Sequence, residues 1–369
     1  MRSVYIHIPF CSSICSYCDF CKFLYNDAWA SAYLDMLSKE IDEYYEGDKV
    51  KTIYIGGGTP SSLSLTNLEK LFSIIKKINL VPNGEFTFEC NVNDINRDLL
   101  HILVDNKVNR ISIGIESFDE ENLKFLNRKH NKKDIFKKLE LVHEYFDNIN
   151  VDLMYALPTE NLRVLKKDLS NILKLDVSHI STYSLIIEEH TKIYNDKVKP
   201  IKEELDYKMY TYICKKLKKK GYIHYEVSNF AKPGKESDHN LTYWHNEEYY
   251  GFGLGAHGYV NEVRFENTRN FNKYLKGEYR LNELMVSVQE EMENELILGL
   301  RTLKGVNSNK FKDKFEEDIF DTFPNISKAL DKKLMTYNKE TGDLLINPDK
   351  IYIMNEILNM IMWGWNEDY

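Results

Sequence analysis

The sequence predicts an α/β fold, a partial (β/α)6 TIM-like barrel followed by a smaller, mostly helical C-terminal domain. Two observations support this fold class. Short β-like runs alternate with longer helical patterns through the first half of the chain, which is typical of parallel βαβ units. Most of these runs also have one polar face, whereas strands of an open doubly wound sheet are covered on both sides and are apolar throughout. A doubly wound sheet would fit the alternation, and the polar faces favour the barrel.

The predicted elements follow one another in a regular order. The strands cover residues 3–9, 52–57, 85–90, 110–116, 150–155 and 179–185, and the helices lie near residues 27–46, 66–78, 95–107, 119–145 and 161–175. Thr66 and Glu69 have the spacing of a capping box and predict the start of the second helix. A further helix is predicted over 202–220, after which the alternation weakens.

Side-chain alternation within the strands predicts a polar lumen. In the fourth strand three isoleucines share one face, and Ser112, Gly114 and Glu116 share the other. The third and fifth strands place Glu89 and Asp152 on their polar faces in the same way. Since successive strand residues point to opposite sides of a sheet, these polar faces predict a barrel interior that binds a polar ligand.

Length and charge limit the class of protein. At roughly 150 residues per domain, 369 residues suggest two or three domains. We expect a barrel over 1–200, a ligand-associated extension over 201–285 and a helical domain over 286–369. The net charge of −8 provides no general attraction for nucleic acid. Without a predicted transmembrane helix or signal peptide, we expect a cytoplasmic protein, and its amphipathic tail would permit transient membrane contact.

Four of the six cysteines crowd into residues 11–21. Cys11, Cys15, Cys18 and Cys21 directly follow the first predicted strand, and their tight spacing favours a metal centre over disulfides. All four could form a closed site for zinc or an electron-transfer cluster. Alternatively, only the first three bind a 4Fe-4S cluster, which leaves one iron free for another ligand. The role of Cys21 decides between these sites.

An ordered series of motifs accompanies the cysteines over most of the chain. The motifs are YIHIPFC at 5–11, GGGTPS at 56–61, RISIG at 110–114, NRKH at 127–130, DLMYALP at 152–158, GY at 221–222, YEVSNFA at 225–231 and HNLTYW at 239–244. Together they resemble the radical S-adenosylmethionine (SAM) superfamily. They are most similar to its branch of oxygen-independent coproporphyrinogen III dehydrogenases and HemW heme chaperones. The resemblance implies a barrel of the radical SAM type.

The resemblance also implies the cofactors and their ligands. In that family three cysteines hold a 4Fe-4S cluster, and SAM chelates the open iron. One electron from the cluster then cleaves SAM to methionine and a 5′-deoxyadenosyl radical. Cys11, Cys15 and Cys18 are the corresponding metal ligands here. The positions implied around SAM are Tyr5, Tyr17, Gly57, Gly58, Thr59, Glu89, Glu116, Arg128 and Asp152.

Each implied SAM position has a physical reason and a structural alternative. Glycines let the backbone approach a ligand, although a tight turn needs them as well. Carboxylates can accept hydrogen bonds from an ammonium or ribose hydroxyls, or they can be partners in ion pairs. Arg128 suits bidentate pairing with a carboxylate unless it is a surface residue at a helix end. Tyr17 offers an aromatic face for adenine, and ordinary packing is its alternative.

Four differences separate this chain from its suggested relatives. The family usually has Gln at the position of Glu116 and an EANP stretch where residues 89–92 are ECNV. Dehydrogenases carry their fourth cysteine at the position of Phe20, one residue before Cys21. They also have a longer N-terminal extension before the residue that matches Tyr5. The last two differences favour the HemW branch.

The HNLTYW stretch agrees with a HemW motif that is linked to heme binding. The resemblance therefore makes His239 a candidate heme ligand, because histidine is a common axial ligand of heme iron. A hydrogen-bonded histidine in a packed loop is the alternative. His257, in the glycine-rich stretch 251–258, is a secondary candidate.

These inferences lead to one functional hypothesis with two alternatives. The chain is expected to bind a 4Fe-4S cluster, SAM and heme, and to deliver heme to apoproteins such as respiratory enzymes. Whether SAM is cleaved stays open. The enzyme alternative is oxidative decarboxylation of coproporphyrinogen III propionates. The third reading is a non-catalytic protein with a closed four-cysteine site.

Overall fold

The computed structural model describes residues 1–364 and confirms the α/β fold class. The strands of the first half are β1 (Ser3–Ile8), β2 (Phe10–Cys11), β3 (Phe23–Leu24), β4 (Lys49–Gly57), β5 (Asn79–Asn91), β6 (Arg110–Glu116), β7 (Ile149–Tyr155) and β8 (His179–Ser184). β1, β4, β5, β6, β7 and β8 are parallel neighbours in that order, and β2 pairs separately with β3. The long β5 begins six residues before its predicted start at residue 85.

Helices connect the parallel strands, as the alternation predicts. They are α1 (Asp27–Tyr44), α2 (Leu65–Ile75), α3 (Arg97–Asp105), α4 (Glu120–Phe125), α5 (Lys132–His143) and α6 (Leu162–Ile172). The single helix predicted over 119–145 is wrong, since α4 and α5 are separate helices. Asn127 has a left-handed φ of 58° after α4, and Asn131 forms a capping box with Asp134 at the start of α5. The break leaves Arg128 in the connection between the helices.

Strand β6 shows how the sequence pattern builds the two sides of the sheet. Ile111, Ile113 and Ile115 are 0% exposed and belong to the main hydrophobic core. Burying such a side chain contributes about 1.5–3 kcal/mol, so this face holds the strand in register. The opposite face carries the polar residues predicted for the lumen.

Residues beyond β8 extend the same sheet at both of its edges. The added elements are α7 (Lys192–Asn195), α8 (Glu203–Lys219), β9 (Ile223–His224), β10 (Asn229–Ala231), α9 (Asp238–Trp244), β11 (Tyr249–Phe252), β12 (His257–Val260), β13 (Val263–Asn267), α10 (Phe271–Tyr274) and β14 (Arg280–Met285). β10 pairs antiparallel with β8, whereas β11 pairs parallel with β1. The resulting sheet runs from β14 to β9 and ends in two unjoined edges. The barrel is therefore partial.

A buried carboxylate fastens this extension to α1. Glu40 is 0% exposed. It accepts hydrogen bonds from the backbone N–H of Gly253 at 2.9 Å, from Nδ2 of Asn267 at 2.6 Å and from the hydroxyl of Tyr274 at 2.5 Å. Because a buried polar group is costly without partners, these three donors fix how the added strands lie beside β1.

The C-terminal region is mostly helical, as predicted. Its elements are α11 (Val288–Gly299), β15 (Val306–Asn307), α12 (Ser308–Phe315), α13 (Ile319–Thr322), α14 (Asn325–Asp331), β16 (Met335–Tyr337), β17 (Asp343–Ile346) and α15 (Met354–Trp363). The small antiparallel sheet β15–β17–β16 was not predicted. Within residues 1–364, no helix combines the length and apolar character needed to cross a bilayer. Residues 365–369 of the predicted helical domain lie outside the described residues.

Candidate functional site

The carboxyl ends of the parallel strands surround a cavity of about 510 Å³. In parallel α/β sheets this edge is where ligand-binding loops meet. The strands β4 to β8 and the cysteine-rich loop all contribute side chains to its wall. The lining residues proposed from sequence are Cys11, Cys15, Tyr17, Cys18, Gly57, Gly58, Thr59, Glu89, Glu116, Arg128 and Asp152.

Three cysteines of the cluster share this cavity. The hydroxyl of Thr59 donates to the Sγ of Cys11 at 3.6 Å, and the Nη1 of Arg128 donates to the Sγ of Cys15 at 3.3 Å. Burial raises the pKa of Cys11 to about 11 and also raises that of Cys18. Among residues 1–364, no three acidic, cysteine or histidine side chains converge closely enough to hold a single metal ion. Three thiols that line one cavity provide the number of protein donors needed by a 4Fe-4S cluster that leaves one iron free.

Cys21 lies apart from the other three cysteines and does not line the cavity. Its Sγ is 3.9 Å from the carbonyl oxygen of Arg269 and packs beside Gly255. Its own carbonyl oxygen lies 2.8 Å from Nε2 of His7. The Sγ of Cys21 therefore lies against the backbone of Arg269, outside the lining of the cavity that the other three thiols share.

The glycine turn after β4 is required by packing as well as by access to the cavity. Gly57 has a φ of 109°, and a Cβ there would lie 2.3 Å from Nδ1 of His7. A Cβ at Gly58 would lie 2.7 Å from the carbonyl oxygen of Ile8. The N–H of Gly57 also donates to Oε2 of Glu89 at 3.0 Å. The turn therefore packs closely against His7 and Ile8 of β1, and it also donates a hydrogen bond to the cavity carboxylate of Glu89.

Glu116 occupies an irregular position at the end of β6. It has a left-handed φ of 66°, and the pairing register with β7 shifts between Gly114 and Glu116. Such bulges redirect side chains, and here Oε1 of Glu116 lies 3.2 Å from Nη2 of Arg128. The pKa of Glu116 is raised to about 7 because burial outweighs the attraction of that guanidinium.

Two further carboxylates share the cavity with Glu116. Oε1 of Glu89 accepts a hydrogen bond from the hydroxyl of Tyr54 at 2.6 Å, and burial raises its pKa to about 7. Asp152 accepts from Nδ2 of Asn150 at 2.9 Å, and burial raises its pKa as well. Asp19 and Glu188 also line the cavity, and its basic side chains are Lys22 and Arg128, so five acidic side chains surround two basic ones. This arrangement favours a ligand that brings a positive charge.

One nitrogen of the Arg128 guanidinium has no hydrogen-bond partner. Its Nη1 and Nη2 donate to the Sγ of Cys15 and to the carbonyl oxygen of Gly114, while its buried Nε has no hydrogen-bond partner. Burial opposes its charge, but the Glu116 carboxylate favours that charge, and the pKa of Arg128 is raised overall. An unpartnered buried donor in a cavity wall is a place where a ligand acceptor can bind.

The two predicted tyrosines occupy different places. Tyr17 lines the cavity beside Glu116, and burial raises its pKa. Tyr5 lies behind the cavity wall, where its hydroxyl is 3.0 Å from Nδ1 of His7. The structure therefore does not bring Tyr5 to the same surface as the other predicted residues.

The candidate heme ligands lie away from this cavity. His239 is 1% exposed, and both of its ring nitrogens are hydrogen-bonded. His257 is an exposed residue of β12, with Nε2 3.9 Å from Oε1 of Glu266. Heme ligation by either histidine stays a prediction, and ligation by His239 would require one of its present hydrogen bonds to break.

Some cavity residues were not predicted from the sequence. Tyr183 lies near the end of β8 and Ile186 follows that strand, where it is 66% exposed. Tyr54 is not part of the cavity lining, but its hydroxyl donates to the cavity carboxylate of Glu89 from the neighbouring strand. The position of Tyr183 near the end of a predicted strand could have indicated that it reaches the cavity. The Tyr54–Glu89 contact could not be predicted in this way, because it depends on how two strands pair.

Comparisons with known proteins agree with this fold. The model of the radical SAM superfamily matches residues 5–171, and that of the HemN C-terminal domain matches residues 286–340. A solved structure of coproporphyrinogen III oxidase (HemN) from Escherichia coli, described as a radical SAM enzyme, has a TM-score of 0.86. It shares 19% sequence identity over 97% of this chain and 89% of that chain. The likeness shows the fold, which is that of a radical SAM enzyme, and residues 5–171 match the radical SAM superfamily.

Curated relatives identify the branch within that superfamily. The heme chaperone HemW of Lactococcus lactis subsp. lactis (strain IL1403) is 43% identical over 85% of this chain and 85% of the relative. HemW of Bacillus subtilis (strain 168) is 38% identical over 98% of this chain and 99% of the relative. This chain belongs to the HemW family of heme chaperones.

Proposed function

We propose that this protein is a cytoplasmic heme chaperone that holds a 4Fe-4S cluster, binds SAM beside it and delivers heme to apoproteins such as respiratory enzymes. The observation that carries the proposal is the shared cavity, in which three of the four clustered cysteines meet three carboxylates and Arg128. Recipients in a membrane would be reached by transient contact. Family membership supports heme as the cargo.

The cavity side chains match the chemical groups of SAM. Glu89, Glu116 and Asp152 would accept hydrogen bonds from its ammonium and ribose hydroxyls, since carboxylates are strong acceptors for charged donors. Arg128 would pair with the carboxylate, and Tyr17 would offer an aromatic face to the adenine. The protein thus supplies a positive group and several negative groups for a zwitterionic ligand.

The cysteines determine what the cluster can do. Cys11, Cys15 and Cys18 would hold three irons, and the fourth iron would stay available because Cys21 is directed elsewhere. A bound 4Fe-4S cluster supplies one-electron chemistry at that position. Thr59 and Arg128 contact the thiols now, and hydrogen bonds to cluster sulfurs tune the reduction potential.

Heme transfer and porphyrinogen assays on the same preparation test the proposal. The full chain is reconstituted anaerobically and titrated with heme, and its Soret absorbance is followed. It is then mixed with the heme-free form of a b-type respiratory cytochrome. We expect saturable binding and transfer to the cytochrome. Failure to bind or transfer heme would refute the chaperone assignment.

Incubation with coproporphyrinogen III, SAM and a reductant distinguishes the enzyme alternative. We expect the propionates to remain intact, and formation of protoporphyrinogen would instead assign the dehydrogenase activity. Release of 5′-deoxyadenosine measures whether SAM is cleaved. Spectra that indicate four protein thiolates and do not respond to SAM would identify a closed site.

A further inference from the structure

His239 lies in a buried network behind the cavity. Its Nδ1 is 2.7 Å from the hydroxyl oxygen of Thr52, and its Nε2 is 2.7 Å from the hydroxyl oxygen of Tyr243. Burial lowers its pKa to about 3, so the ring is neutral at physiological pH. A neutral imidazole has one donor and one acceptor nitrogen. Both are already used.

The helix that carries His239 is held from its first turn. The carboxylate of Glu85 accepts hydrogen bonds from the N–H groups of Asp238 and His239, at 3.1 and 3.0 Å, and from the hydroxyl of Ser237 at 3.3 Å. A negative group at this end also suits the helix dipole. Glu85 lies on β5, four residues before Glu89, so α9 is tied to the strand that supplies a cavity carboxylate.

Tyr54 connects His239 to that carboxylate. The rings of Tyr54 and His239 are stacked, with centroids 5.0 Å apart and an interplanar angle of 28°. The hydroxyl of Tyr54 donates to Oε1 of Glu89 at 2.6 Å. On the other side Tyr5 packs against both rings, with centroids 6.1 Å from that of Tyr54 and 6.4 Å from that of His239. The orientation of Glu89 therefore depends on a ring that His239 supports.

We infer that His239 is a positioning residue for the SAM-binding carboxylate Glu89, acting through Tyr54, and is not an iron ligand of heme. An iron would need the lone pair of a ring nitrogen, and reaching it would break the contact with Thr52 or Tyr243. Removing the side chain would leave the Tyr54 ring without its stacking partner and weaken the hold on Glu89. This inference rests on the proposed function, which identifies SAM as the ligand of Glu89.

A double-mutant cycle tests this connection. His239→Ala, Tyr54→Phe and the double variant are reconstituted anaerobically, and their SAM dissociation constants are measured by equilibrium dialysis. Tyr54→Phe removes only the hydroxyl that donates to Glu89, so it preserves packing if His239→Ala folds poorly. We expect each single change to weaken SAM binding about tenfold, as loss of a hydrogen bond to a charged group would. The double variant is expected to bind SAM about tenfold more weakly than the wild type, which is no weaker than either single variant. The effects do not add because His239 acts on Glu89 only through Tyr54.

Heme titration of the same proteins separates the two roles of His239. We expect the His239→Ala and Tyr54→Phe variants to keep the wild-type heme affinity and Soret spectrum. His101→Ala is the matched control, since His101 is exposed and also lies against a tyrosine, Tyr145. It should change neither measurement.

Each contrary outcome is decisive. Loss of heme binding in His239→Ala with unchanged SAM affinity would overturn the inference and restore the heme-ligand prediction. Additive effects of the two changes on SAM affinity would also overturn it. If the wild type bound SAM but no heme, the chaperone proposal would fail while the cycle still tested the positioning role. If the wild type bound heme but no SAM, the positioning role would be refuted.

Discussion

Acidification from pH 8 to pH 6 is expected to weaken SAM binding by one to two orders of magnitude. Glu89 and Glu116 both line the cavity, and burial raises the pKa of each carboxyl to about 7. A carboxyl with this pKa is about 90% ionised at pH 8 and about 10% ionised at pH 6. If the ammonium of the ligand requires one ionised carboxylate, its affinity falls about tenfold over this range, and about 100-fold if it requires two. Protonation competes with the cationic ligand, so the loss occurs on the acid side.

The measurement is equilibrium binding of SAM to the anaerobically reconstituted chain at constant ionic strength. Visible absorbance of the cluster at each pH checks that the metal centre survives the titration. Glu116→Gln removes one of the two titrating groups but keeps an oxygen acceptor near Arg128. We expect this variant to show at most a tenfold effect. An affinity that is constant from pH 6 to pH 8, or stronger at pH 6, would refute the electrostatic reasoning.

Three further changes test other parts of the structure. Cys21→Ser should retain wild-type iron and sulfide content, because Cys21 lies outside the cavity. Cys15→Ser should lose the cluster, and an equal loss of iron in both variants would contradict an open site. Gly57→Ala should lower the melting temperature by several degrees, since its Cβ would lie 2.3 Å from the His7 ring at a φ of 109°, and an unchanged melting curve would contradict the close packing. Glu40→Leu should reduce the free energy of unfolding, measured in urea, by about 3 kcal/mol, because three buried donors lose their acceptor. A change below about 1 kcal/mol would show that water replaces the carboxylate as their acceptor.

The sequence was sufficient to predict the central sheet because its strands carry a strong local pattern. Ile111, Ile113 and Ile115 alternate with polar residues, and β6 has the predicted bounds. The helix boundaries were less predictable. The break between α4 and α5 depends on the left-handed backbone of Asn127, which the surrounding helical pattern conceals. The cap of α2 is Ser64, not a box that starts at Thr66, because a capping residue is defined by backbone geometry as well as by residue type.

Some site residues could be predicted from the sequence, and others could not. Residues on the polar strand faces, such as Glu89 and Asp152, reach the cavity because their strands are parallel and in register. His239 could not be placed from local sequence, since its partner Thr52 is 187 residues away. The same limit applies to Tyr54, whose role depends on the pairing of β4 with β5. Long-range side-chain contacts therefore explain most of what the sequence alone did not predict.

The presence of Glu116, where the resemblance described above implies glutamine, has an electrostatic consequence. Its carboxylate lies 3.2 Å from Arg128 and neutralises part of the positive charge that a ligand carboxylate would use. It also strengthens the negative side of the cavity, where the ligand ammonium would bind. For a zwitterionic ligand these two effects oppose each other, so Glu116→Gln should change affinity at pH 8 much less than it changes the pH dependence. The unpartnered Nε of Arg128 leaves one donor that the ligand carboxylate can still use, while the cavity carboxylates accept from the ligand ammonium.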